Sequence, residues 1–200
     1  MGLRVVDSSP ATEADLIAAC VRGERDAERE LFRREYRHVH ALLFRILGSP
    51  RDLEDLAQEV FIGVFQALPR FRGDAKLRTW IDRIAVHTAL DHITARKRIP
   101  IPVETISDRP DPSGPADDRA HAREGLRRLY GVLATFKPEA RIAFALYAID
   151  GRSIADVAAI TGVTALTAKL RIWRARREVE RRLEHDPILA SYIAQHRGPR

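Results

Sequence analysis

The chain has 200 residues, 45% of them hydrophobic, and a formal net charge of +6. That length suits one large domain or two small ones, and the composition excludes wholesale disorder. Its single cysteine, Cys20, excludes an intrachain disulfide and fits a reducing compartment, and no apolar run approaches the ~18 residues that a membrane span needs. No signal-peptide pattern is legible either, so direct membrane insertion is not expected and a cytoplasmic location is.

Charge is unevenly placed. Residues 1–98 sit near +2, residues 99–120 near −3, and residues 121–200 near +7. A C-terminal excess of cations is expected of a segment that meets a polyanion such as DNA, although a solvated Arg-rich surface gives the same count.

Apolar residues recur at helical spacing almost throughout, and no stretch alternates as a strand would. A first helix runs from Glu13 to Arg22 and ends at Gly23, with Cys20 inside an apolar run that favours a packed thiol over a redox sensor. A second starts near Asp26 and carries Phe32, Tyr36, Val39, Leu43 and Ile46 on one face until Gly48, Ser49 and Pro50 stop it. Asp52 is placed to cap a third, whose stripe is Leu53, Leu56, Val60, Val64 and Leu68. Pro69 to Asp74 form a turn. A fourth helix follows, from Asp74 to about Arg98, with Leu77, Trp80, Ile81, Ile84 and Thr88 inward.

Composition then shifts. Ile99 to Pro115 holds five prolines, one glycine and several acids, which forbid a continuous helix and bury no core. We read residues 99–117 as a semi-extended linker. Helices are expected again at about 118–135, 138–149, 153–161 and 164–184, followed by a tail from 185 to 200 that is either an extension or a frayed end. The expected architecture is all-α: an N-terminal extension 1–11, a helical domain 12–98, the flexible linker, and a second helical domain 118–184.

Ser153 to Arg177 reads as a helix-turn-helix. Ser153 caps the first helix, and Asp156 favours its positive end. Ala158, four residues before Gly162, allows a close helix crossing, and Gly162 supplies the left-handed conformation that turns the chain. Thr164 caps the second helix, which presents Lys169, Arg171, Arg174, Arg176, Arg177, Arg181 and Arg182 beside Leu166, Leu170 and Trp173. Such a helix suits the DNA major groove, where Arg and Lys reach guanine edges or phosphates. Packing of a basic amphipathic helix on its neighbours is the plainer reading.

These residues resemble region 4 of the extracytoplasmic-function (ECF) sigma factors, whose typical run is a glycine turn followed by GTVKSRLxRAR. Thr167, Lys169, Arg171, Arg174, Ala175 and Arg176 match that run, whereas Leu166 and Leu170 replace its glycine and its small polar residue. Asp52 to Phe61 (DLEDLAQEVF) is similar to the DAEDLVQEVF stretch of region 2. Phe71-Arg72-Gly73-Asp74, Thr79-Trp80-Ile81 and Arg83-Ile84-Ala85 are similar to its FRGxxxFxTWLxRIAxNxxxD segment. Together these cover about residues 12–98 and 122–184.

The resemblance implies an alternative sigma factor, which brings RNA polymerase to promoters, helps open the duplex and is no catalyst. It implies that Asp55, Leu56, Ala57, Gln58 and Glu59 bind the core polymerase, although an acidic solvated face would look the same. It implies that Ser153, Thr164, Thr167, Lys169, Arg171, Arg174 and Arg176 serve −35 recognition. Phe71, Ile84 and His87 would cradle an extruded −10 base, with His87 where relatives often carry Asn. Trp80, Arg83, Arg96, Lys97 and Arg98 are further −10 candidates, Trp80 being equally readable as a core residue. Core polymerase, promoter DNA and an anti-sigma factor are the implied partners.

The main rival is a helix-turn-helix regulator that is not a polymerase subunit. An enzyme or metalloprotein is disfavoured because no HExxH, paired CxxC or nucleophile elbow is present. No cofactor, metal or small-molecule substrate is therefore expected. A helical scaffold that does not bind DNA is the third alternative.

Overall fold

A computed structural model describes residues 12–96 and 116–195, with side chains at 12–96 and 123–194. The linker proper, with Lys97 and Arg98, lies outside the described residues. Every regular element described is helical, as the periodicity predicts.

Helix α1 (Glu13–Val21) begins where the Thr12 hydroxyl accepts a bond from the Asp15 amide. Helix α2 (Arg25–Leu47) ends at Gly48, whose φ of 65° lets its N–H turn back to the Phe44 carbonyl. Helix α3 (Leu53–Ala67) runs into a 3₁₀ turn at Leu68–Arg70. Asp52 is not the side-chain cap that the sequence predicts. It adopts φ 65° and turns its carboxylate to Arg96 (3.4 Å) and His92 (3.9 Å) near the end of the fourth helix. That helix, α4, spans Leu77–Arg96, so it starts three residues later than predicted.

Two other inward assignments shift. Phe32 is 37% exposed and lies over Phe61 (4.6 Å between centroids) and Tyr36 (5.0 Å). On α4 the inward residues are Leu77, Ile81, Asp82, Ala85, Val86, Ala89 and Ile93, while Trp80, Ile84 and Thr88 are only partly covered.

Helix α5 (Ala116–Ala134) is followed by α6 (Pro138–Phe144), which continues as a π-helical turn over Ala145–Ile149. Helices α7 (Ile154–Thr161) and α8 (Ala165–Leu183) form the predicted helix-turn-helix. The tail is more than an end. Residues Pro187–Gln195 form α9, which lies along α5, with Leu189 fully buried and Tyr192 against Gly125. Asp186 anchors it by accepting both from Arg128 and from the Leu189 amide (3.1 Å).

One apolar core runs through α1 to α4 and continues into Ile142, Leu146, Val157, Ala158, Ile160, Ala168 and Ile172. A second joins α5, α6, α8 and α9. The first four helices and the later ones are thus packed together. Polar bonds reinforce the seam: Arg141 donates to the Ile46 and Leu47 carbonyls at the C-terminal end of α2, and the Tyr130 hydroxyl donates to the Arg45 carbonyl at 2.6 Å. Burial raises the Tyr130 phenol pKa, so this donor stays protonated throughout the neutral range, and burial lowers that of the Arg141 guanidinium.

At the centre of the seam sits Asp82, with no exposed surface. His38 Nε2 donates to its Oδ1 at 2.6 Å, and Arg152 Nη2 lies 3.1 Å from Oδ2 without hydrogen-bond geometry. Arg152 also donates to Asp150, which accepts from Arg45 at 2.6 Å. The π turn sets this up, because its wider ring places Asp150 and Arg152 where α2 and α4 meet the second half.

Candidate nucleic-acid interface

The helix-turn-helix is capped at each junction. Ser153 and Asp156 form a reciprocal box: the Asp156 amide donates to the Ser153 hydroxyl (3.1 Å), and the Ser153 amide donates to the Asp156 carboxylate (3.3 Å). The Ser153 hydroxyl also donates to the Asp156 carboxylate at 2.6 Å, and chiefly this bond holds the Asp156 carboxyl below the usual range. Gly162 has φ 68°, and its amide and that of Val163 both reach the Ala158 carbonyl. Thr164 accepts from the Thr167 amide at 3.2 Å and starts α8.

Helix α8 buries Ala168, Ile172, Ala175 and Val179. At 100° per residue the opposite face is centred on Leu166, Leu170, Trp173 and Arg177. Lys169 and Arg176 flank it on one side, Thr167, Arg171 and Arg174 on the other. Arg171 and Thr167 are half-buried, and the remaining cations are exposed. Among the described residues no acid pairs with Lys169, Arg171 or Arg174. Toward the C-terminal end the cations are engaged: Arg176 with Glu180, and Arg181 and Arg182 with Glu178, whose carboxyl those bonds hold at about 2. Arg177 lies 5.0 Å above the Trp173 ring.

On α4, Trp80, Ile84 and His87 follow one another at helical spacing, and Phe71 packs on Trp80 with centroids 5.1 Å apart. His87 is exposed, and the other three are half-buried. Trp80 therefore lies at the rim of the core, with part of its ring open. Arg83 does not point to solvent alone: its Nε donates to the Ala159 carbonyl of α7 at 2.8 Å. Arg96 pairs with Asp52. Lys97 and Arg98 are outside the described residues.

On α3, Asp55, Gln58 and Glu59 are exposed and share one side with Glu54 and Ile62, the last 56% exposed. Leu56 (4% exposed) and Ala57 (fully buried) belong to the core beneath. Sequence reasoning missed two residues here. Ile62 is an apolar residue on an otherwise polar stripe, and Asp82 is an acid among the apolar positions of α4; both breaks in pattern were legible signals.

His92, beside Asp52 and Arg96, has its pKa lowered by burial first and by Arg96 second, against the pull of Asp52. Its folded pKa is below the ordinary 6.5, so the unfolded chain takes up the proton first as pH falls. The stabilising contribution is complete above pH 6.5 and declines below it. Urea midpoints measured between pH 7.5 and 5.5 should fall more steeply for the native chain than for His92→Gln; parallel slopes would refute the assignment.

Among the described residues, no helix is long and apolar enough to cross a membrane, and no group of His, Cys, Asp and Glu could hold a metal ion.

Two family descriptions match. Residues 31–99 correspond to Sigma-70 region 2, and residues 126–179 to Sigma-70, region 4. The chain is 32% identical over 173 residues to the ECF RNA polymerase sigma factor SigM of Mycobacterium tuberculosis, covering 86% of this chain and 85% of that protein. It is 31% identical over 186 residues to the ECF RNA polymerase sigma-E factor of Escherichia coli K12, covering 88% and 97%. Among solved structures, CnrH in complex with the cytosolic domain of CnrY is similar, with a TM-score of 0.59, 26% identity and coverage of 86% of this chain and 96% of that one. The sigma factor RpoE of Bartonella quintana, solved with the anti-sigma factor NepR, shares the fold at TM-score 0.55 and 21% identity, over 79% and 97%.

Proposed function

The chain belongs to the ECF sigma factors, alternative initiation subunits of RNA polymerase, and we propose that its residues divide that work among three surfaces. Asp55, Gln58 and Glu59 on α3 meet a basic helical part of core polymerase, while Leu56 and Ala57 fix the helix in the core from below. Helix α8 enters the −35 major groove with Lys169, Arg171, Arg174 and Arg176, positioned by the Ser153 and Thr164 caps and by Thr167. Phe71, Trp80, Ile84 and His87 receive a −10 base removed from the stack, with Arg83, Arg96, Lys97 and Arg98 toward the backbone. The chain initiates transcription and leaves catalysis to the polymerase, which places it in the cytoplasm. An anti-sigma factor is its expected regulator.

The observation that carries this reading is the capped helix-turn-helix whose Lys169, Arg171 and Arg174 have no acidic partner among the described residues, in one chain with an acidic docking face. Run-off transcription tests it. Core polymerase plus the full chain should start specifically on cognate promoters. If the chain instead only represses or activates in the presence of another sigma factor, it is a helix-turn-helix regulator.

The division of labour makes its own prediction. Arg171→Ala should reduce promoter use by about 1–3 kcal/mol, roughly 5- to 150-fold, with polymerase binding intact. Gln58→Ala should weaken polymerase binding while the shift of holoenzyme from one promoter to another stays unchanged. Indistinguishable behaviour of the two variants would remove the division.

The two promoter elements, about 25 base pairs apart by their names, are separated by some 85 Å at ~3.4 Å per pair. Here α4 and α8 both pack on α7, which keeps them within about two helix diameters (~20 Å) of each other. Engaging both elements therefore requires the seam to open and Arg83 to release Ala159. Twenty residue steps join Arg96 to Ala116, a reach of at most about 70 Å, which with the size of the domains is sufficient.

A further inference from the structure

We propose that Leu166 and Leu170 read thymine methyl groups in the upstream promoter element, so that part of the chain's −35 preference rests on apolar contact. This builds on the assignment of α8 to the −35 groove.

The most outward positions of a recognition helix meet base edges, and here they are apolar. Leu166 is 67% exposed and Leu170 is 43% exposed, one turn apart and opposite the buried Ala168, Ile172 and Ala175. Neither is needed to hold the helix, which is anchored by those buried residues and by the Thr164 cap. Neither can donate or accept a hydrogen bond, so neither can use the polar code of the groove. The apolar feature that a base edge offers in the major groove is the C5-methyl of thymine.

The surroundings favour DNA over an apolar protein helix as the occupant. Lys169, Arg171 and Arg174 flank the two leucines, and no acid pairs with them among the described residues. A polyanion neutralises such a rim, whereas an apolar partner helix leaves it unpaired. Trp173, the next apolar residue along, has its ring under Arg177 and stands farther from the helix start. The leucines lie about 6 Å apart along the axis, so they address adjacent or next-adjacent pairs at ~3.4 Å spacing.

Deoxyuridine isolates the methyl, because uracil pairs as thymine does and lacks only that group. Holoenzyme made from core polymerase and the full chain would select from a random duplex pool built with thymidine and from the same pool built with deoxyuridine. At one or two upstream positions, thymine should be enriched about fourfold per contacted methyl, the equivalent of one buried methyl group at ~0.8 kcal/mol. That enrichment should vanish in the deoxyuridine pool. Leu166→Gln and Leu170→Gln keep helix propensity and length and should make the two pools equivalent at those positions; Leu166→Met should retain the difference.

Equal enrichment in both pools overturns the inference while leaving the −35 assignment standing. So do glutamine variants that keep the thymine preference, and if these also lose a protein partner the stripe is a protein-docking surface instead. If native holoenzyme enriches no upstream element at all, the −35 assignment itself fails and the methyl contact fails with it.

Discussion

Asp82→Ala should lower the stability of the closed chain by about 3 kcal/mol, the lower end of the cost of breaking a buried ion pair. Asp82 is fully buried, accepts from His38 and faces Arg152 at 3.1 Å. Its removal strands two donors in the seam. Arg152 keeps its bond to Asp150 and is one-quarter exposed, which moderates the loss. Asp82→Asn should cost less, since the amide oxygen still accepts from His38. Urea denaturation of both variants gives the comparison. A loss under about 1 kcal/mol for alanine, or no difference between the variants, would show that the carboxylate is not a keystone of the seam.

Gly48→Ala is expected to cost about 2–4 kcal/mol in the closed form, from two sources. The residue must keep φ 65°, which penalises a Cβ by about 1 kcal/mol or more. A Cβ there would lie 2.2 Å from the Tyr130 ring, an overlap of the kind that costs about 1–3 kcal/mol. Moving α5 away from α2 relieves only the second. Small-angle scattering should therefore show a more extended chain, with greater affinity for promoter DNA. A double-mutant cycle separates the terms: with Tyr130→Ala the ring is gone, and Gly48→Ala should then retain only the backbone cost. Additivity of the two substitutions, or a chain as compact as the native one, would rule out the clash as the wedge.

Both predictions concern a seam that joins residues far apart in sequence. By contrast, the helix-turn-helix was legible because all its determinants are local. Ser153 sees Asp156 three residues on, Gly162 answers to its own φ, and Thr164 caps its own helix. The cationic and apolar positions of α8 follow from 3.6-residue periodicity in the same way. Where a local rule failed, a tertiary partner had overridden it. Asp52 gives up the capping geometry for Arg96 and His92, and Phe32 is at the surface because Phe61 and Tyr36 leave it there.

The candidate site divides along the same line. Sequence placed Asp55, Gln58 and Glu59 on an exposed turn, since polar residues beside an apolar stripe face outward on any packed helix. The apolar stripe already turned Leu56 inward, whereas the full burial of Ala57 is decided by what α2 and α4 bring to the other side. Sequence placed Arg83 near the −10 surface but could not show the Ala159 carbonyl waiting across the seam.

The amino-acid sequence by itself determined the all-α class, the capped turn between α7 and α8, and the outward order of Leu166, Lys169, Leu170 and Arg174. These depend on neighbours within four residues, where backbone geometry fixes who meets whom. Tertiary structure alone decided that α9 folds onto α5, that Asp82 bridges His38 and Arg152, and that the two halves close over Arg83. Those contacts join positions 44 to 76 residues apart, and no periodicity reports which distant surfaces will shed their water together.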